Sequence, residues 1–125
     1  MTENEISKVI YDAHKRILDT LGSGMLEHAY REVLAYELRE AGLGVSTEVE
    51  LPLRYKNLII ERAYRIDLLV DDKVIVELKS VEKLLPIHAS QLLTYLKLSN
   101  KKLGLLLNFG GPNAALGIKR VVNGL

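Results

Sequence analysis

The pattern of hydrophobic periods predicts an α/β fold. Apolar residues first recur at helical spacing, then alternate along strands, then return to helical spacing before a final apolar run of strand length. The predicted order is α-α-β-β-β-α-β, with one more β element at the C-terminus.

Each element has a local reason. Thr2-Glu3-Asn4-Glu5 fits a capping box, and Ile6, Val9, Ile10, Ala13, Ile17 and Leu21 follow at helical spacing. Gly22-Ser23-Gly24 stops that helix, and a second is predicted over residues 25–41, ending at Gly42. Val49, Leu51, Leu53 and Tyr55 then alternate with Glu48, Glu50, Pro52 and Arg54, as in a half-buried strand. Pro52 places that strand at a sheet edge or at a bulge. Lys56-Asn57 is a predicted turn, because Asn tolerates positive φ. A long strand follows to Val70, then an Asp71-Asp72-Lys73 turn, then a strand to about Val81. Pro86 suits the first turn of a third helix over residues 87–99. Leu103 to Phe109 reads as a buried strand, and Gly110-Gly111-Pro112-Asn113 as a loop. Residues 117–122 fit a last strand or a short helix, with the strand favoured.

Bulk properties narrow the function class. A length of 125 residues suits a single domain, expected to span 1–125. There is no cysteine, so disulfides and thiolate zinc sites are excluded. No apolar run is long enough to span a bilayer, and the N-terminus lacks the pattern of a signal peptide. A soluble cytoplasmic protein with no membrane partner is the expectation. The 17 basic and 16 acidic residues argue against a large non-specific DNA footprint. A local basic patch remains compatible with that balance.

The chemistry concentrates in the strands on either side of Asp72. Asp67, Glu77 and Lys79 are set in otherwise apolar strands, where charge is costly unless paired or bound to an ion. A two-residue turn would set Asp67 opposite Val76. A three-residue turn centred on Asp72 would set Asp67 opposite Glu77 and align Ile66, Leu68 and Val70 with Leu78, Val76 and Val74. The second register makes one face wholly apolar, so it is favoured. Asp67 and Glu77 then repel each other, and a divalent cation between them turns repulsion into binding. Oxygen ligands suit Mg²⁺ or Mn²⁺ rather than zinc. Lys79, two residues past Glu77, shares its face and could steady a phosphate or an attacking water.

Two helices offer further candidates. Glu27 lies at the edge of the apolar stripe formed by Tyr30, Leu34, Leu38 and Ala41, where a ligand role competes with simple helix-dipole stabilisation. His88, Gln91 and Tyr95 share one face of the third helix. Such a face is commonly just solvated, though Gln and Tyr can also contact a phosphate backbone.

Together these pieces resemble the PD-(D/E)XK nuclease superfamily. The match is Asp67, a nine-residue gap, then Glu77-Leu78-Lys79. Gln91 to Tyr95 resembles the Q-x-x-x-Y helix motif of the RecB-like branch, and Gly24 through Tyr30 reads G-x-x-E-x-x-Y, the signature of a family of small stand-alone proteins. Ile66 stands where the superfamily name has proline. The resemblance implies a restriction-endonuclease-like αβββαβ core, a mixed central sheet flanked by helices. It implies a Mg²⁺ (or Mn²⁺) site at Glu27, Asp67 and Glu77, with the Leu78 carbonyl as a further ligand. Lys79 would activate or position the hydrolytic water, and Gln91 and Tyr95, with His88 and Tyr30 nearby, would orient the site or touch the nucleic acid.

The leading expectation is a Mg²⁺-dependent nuclease acting on DNA. The alternative is a catalytically inactive nuclease-fold module that binds nucleic acid or a protein partner. Lys97, Lys101, Lys102, Lys119 and Arg120 are the candidate phosphate contacts. A homodimer is a third reading, since a chain of this size covers little duplex.

Overall fold

The computed structural model describes residues 1–125, the side chain of Ala115 apart. Its elements run α1 (Glu3–Leu21), α2 (Glu27–Glu40), β1 (Val45–Tyr55), β2 (Leu58–Val70), β3 (Val74–Lys79), α3 (Pro86–Ser99), β4 (Leu103–Asn108) and β5 (Ile118–Val122), with a short 3-10 turn at Ala114–Leu116. The five strands form one sheet in the order β1-β2-β3-β4-β5. Only the β3–β4 pair is parallel, and α3 is its crossover. The last element is a strand, as the sequence favoured.

Local signals act where expected. The Thr2 side chain accepts from Glu5 N–H and the Glu5 side chain accepts from Thr2 N–H, completing the capping box. Pro86 opens α3. The pairing of β1 with β2 shifts register between Leu51 and Leu53, so Pro52 sits both on an edge strand and at a bulge. At the Lys56-Asn57 turn the positive φ falls on Lys56 rather than Asn57.

Helices cover both faces of the sheet. On one face α1 and α2 pack Ile10, Ile17, Tyr30 and Leu34 against Leu68, Val76, Leu105 and Leu107. On the other, α3 packs Leu92, Tyr95 and Leu96 against Leu51, Ile75 and Leu106. Strands β3 and β4 are therefore apolar on both parities. Ile87, in the first turn of α3, is exposed, and the buried stripe of the helix is Leu92, Tyr95 and Leu96.

The favoured hairpin register forms, with Leu68, Leu69 and Val70 paired to Val76, Ile75 and Val74. It corrects one expectation. Ile66 does not share a face with Leu68 and Val70 but packs under α3 with Ile75. The cause is a break in the alternation. Glu48 takes a left-handed backbone with φ of 52°, and the β1–β2 ladder skips Glu48 and Asp67. Strand β1 changes face at the same level, with Val45 on the α1–α2 side and Val49 and Leu51 on the α3 side.

Close packing of α3 on β4 gives a test. A Cβ at Gly104 would lie 2.8 Å from two Leu92 side-chain carbons. Leu92 is fully buried, packed between α3 and the sheet with Ile75, Leu96 and Leu106. Gly104→Ala should destabilise the protein by about 1–3 kcal/mol in urea denaturation, with partial recovery when Leu92 is trimmed to Val.

Candidate active site

Asp67 and Glu77 meet where the β2–β3 ladder ends. The Asp67 N–H donates to Glu77 Oε1 at 2.9 Å, and the Leu78 N–H donates to Asp67 Oδ2 at 2.8 Å. Each carboxylate thus takes a backbone donor that strand carbonyls would otherwise hold. A buried N–H left unpaired costs about 1–3 kcal/mol, so this exchange fixes both acids in place.

The electrostatics follow from burial. Glu77 is 8% exposed. Burial and the nearby Asp67 carboxylate push its pKa up to about 8, while the Asp67 N–H and the Lys79 ammonium pull the other way. This acid is short of countercharge. Two oxygen donors converging beside such a group fit a hard divalent cation, which supplies that charge.

Lys79 is half-buried at the end of β3 and pairs in register with Asn108 of β4. It shares the face of Ile75 and Glu77, the face α3 covers. Its carbonyl accepts from Phe109 N–H at 2.8 Å. The Asn108 side chain accepts from Val81 N–H and donates to Val81 O, which clamps the chain just past Lys79. Buried His14 adds a brace at 2.8 Å, from its ring Nε2 to the Asn108 carbonyl. Burial holds the His14 imidazole below its ordinary pKa, so Nε2 carries the proton and donates.

The other candidates separate. Tyr95 is buried on the sheet-facing side of α3, and burial, then Glu77, Tyr64 and Asp67, raise its phenol pKa. It therefore stands beside the two acids as a neutral O–H. Gln91 is exposed on α3. His88 Nδ1 accepts from Leu85 N–H at 3.0 Å, a contact that caps α3. Tyr30 lies in the α1–α2 core, where its hydroxyl donates to Gly22 O, accepts from Met25 N–H, and its ring stacks on Phe109. That role is to hold the turn between the two helices.

Glu27 is exposed in the first turn of α2, whose buried side packs on the sheet face opposite α3. Among the described residues no three His, Cys, Asp or Glu side chains gather to hold a metal ion. The expected trio of Glu27, Asp67 and Glu77 is thus not assembled, and the converging pair is Asp67 with Glu77.

Two features escaped the sequence. Tyr64 lies against Tyr95, with ring centroids 5.4 Å apart. It is three residues from Asp67, on the opposite parity, and only the break in alternation turns it to the same side. Glu48, beside Asp67 in β1, pairs with Arg31 of α2 at 2.9 Å. An acid among the outward residues of an edge strand gave no signal of this.

The fold is a restriction-endonuclease-like α/β core, with an acid pair and a lysine at the end of its central strands. The family model of the PD-(D/E)XK nuclease superfamily matches residues 4–121, and the chain belongs to that superfamily. A solved structure, that of SSO0001, is similar with a TM-score of 0.60 at 22% identity, over 98% of this chain and 58% of that one. At this identity the likeness is one of fold, and the present chain spans little more than half of the longer one. No curated protein matches. Among the described residues no helix is long and apolar enough to cross a membrane.

The raised pKa of Glu77 has a sign. Its proton is held more tightly folded than unfolded, so its contribution to stability is complete below about pH 4.5 and is lost as pH rises to about 8. Metal-free protein should lose on the order of a few kcal/mol from this group across that window. Glu77→Gln should flatten the slope in denaturant midpoints measured against pH. An unchanged slope in that variant would exclude Glu77 as its source.

Proposed function

We propose that the protein is a Mg²⁺- or Mn²⁺-dependent phosphodiesterase that cuts DNA, and that it belongs to the G-x-x-E-x-x-Y group within the RecB-like branch. The observation that carries this is the interlocked Asp67–Glu77 pair with Lys79 on the same strand face. Asp67 and Glu77 would hold the ion, with the Leu78 carbonyl as the further ligand that the resemblance implies. A small hard cation keeps several waters, so two protein carboxylates suffice, and Glu27 enters only as an outer group. When bound, the cation supplies Lewis-acid polarisation of the phosphoryl group.

The chain's own residues do the rest. Water adds to phosphorus and gives up a proton to solvent, the bond to the leaving oxygen breaks and that oxygen takes a proton from solvent, and negative charge builds on the phosphoryl oxygens meanwhile. The Lys79 ammonium offsets that charge and orients the water. Neutral Tyr95 can donate to a phosphate oxygen, and Gln91 contacts the strand from the exposed side of α3. Tyr64 packs on Tyr95 and limits its rotation.

Asp67→Asn and Lys79→Ala should each reduce Mg²⁺- or Mn²⁺-dependent cleavage of plasmid or oligonucleotide DNA by about a hundredfold or more, with the circular dichroism spectrum retained. Asn keeps an acceptor for the Leu78 N–H, so folding is protected there. Cleavage that resists EDTA, or survives Asp67→Asn, sinks the reading. DNA shifted in a gel yet left uncut across several metals would instead favour a binding module.

Calorimetric Mn²⁺ titration gives a second readout. Binding must displace the Glu77 proton, so affinity should rise between pH 6 and 8 with proton release, and Glu77→Gln should abolish that release.

A further inference from the structure

An open groove of about 1210 Å³ lies beside the candidate active site and plays no part in the chemistry above. Its position follows from register. On the sheet face under α3, Glu77 pairs with Leu106 and Leu106 pairs with Lys119, while Lys79 pairs with Asn108. Leu106, Asn108 and Lys119 all line the groove. Its floor is therefore the sideways continuation of the Glu77–Lys79 row.

The walls are mainly apolar. Leu84, Leu85 and Pro86 form one side and Pro112 and Leu116 the other. Leu116 is 83% exposed and Leu85 52%, so apolar surface faces water at the rim. The charges at the edge are Lys83 and Lys119 against one acid, Glu82. The N-terminus of α3 opens at the same place with no acid in its first turn and no side-chain cap on Leu85 other than the His88 ring.

We propose that this groove binds an unpaired stretch of the nucleic-acid strand whose phosphate lies at Asp67, Glu77 and Lys79, an inference that rests on the nuclease reading. An apolar trough edged by ammonium groups complements a strand whose bases are free and whose phosphates lie alongside. A duplex turns its phosphates outward and hides its base faces, so it has nothing apolar to place there. The substrate selected is single-stranded DNA, or a duplex end opened into single strand.

Fluorescence anisotropy of the full chain in EDTA separates binding from cleavage. The probes are a fluorescein-labelled thymidine oligonucleotide and a blunt duplex of equal length. The single strand should bind about tenfold tighter or more. Leu116→Glu and Lys119→Glu, both at exposed positions, should each weaken it by about tenfold and erase the preference. Lys15→Glu, exposed on α1 across the sheet, should leave the preference intact and so controls for net charge. Equal affinity for duplex, or binding untouched by Leu116→Glu, overturns the proposal. So does a concentration-dependent dimer in sedimentation that Leu116→Glu dissolves, because the occupant is then a second copy. A preference for single strand in a protein that cuts nothing under Mg²⁺ or Mn²⁺ supports the groove while sinking the hydrolytic reading.

Discussion

Two carboxylates stand in for ladder carbonyls at the point where β2 and β3 part. Asp67 accepts the N–H of Leu78 and Glu77 accepts the N–H of Asp67, so each strand holds the other's acid. Much else depends on this exchange. It allows β2 to leave β3 without stranding buried N–H groups, and it places two acids of like charge side by side. Burial then makes the arrangement costly for an ionised Glu77, which is the electrostatic condition a cation relieves.

The break also rearranges the sheet around it. Glu48 bends β1 at the same level, and the inner face of both strands changes sides. Tyr64 and Ile66 swing under α3 as a result, and Tyr95 gains an aromatic neighbour. The left-handed Glu48 is held by its ion pair to Arg31, so α2 is tied to the bend from the far face.

Lys79 is fixed by different means. Its strand is paired on the β4 side up to Asn108, whose side chain grips the backbone of Val81. Gly110 fits against the same segment, where a Cβ would lie 2.6 Å from Val81 N. His14 and the Gly117 carbonyl satisfy the remaining backbone groups of Asn108. The lysine thus sits on a strand end braced by α1, β4 and the loop after β4, and the open groove begins where that bracing stops.

Element types, the capping box, the Pro52 bulge and the hairpin register were legible because each depends on short spacings. Helical or alternating periods, a proline and a turn of known length leave local marks. The same holds for Asp67, Glu77 and Lys79, whose charges stand out in apolar strands. Residues brought together from distant segments left no such mark. Nothing local says that Glu48 inverts the alternation, that Tyr64 therefore joins Tyr95, or that Glu27 stays exposed while Tyr30 is consumed by the α1–α2 turn. Those outcomes depend on which face each helix covers and on where the ladder breaks, and chain spacing encodes neither. The sequence determined the chemical groups and the strands that carry them; packing decided which of those groups meet.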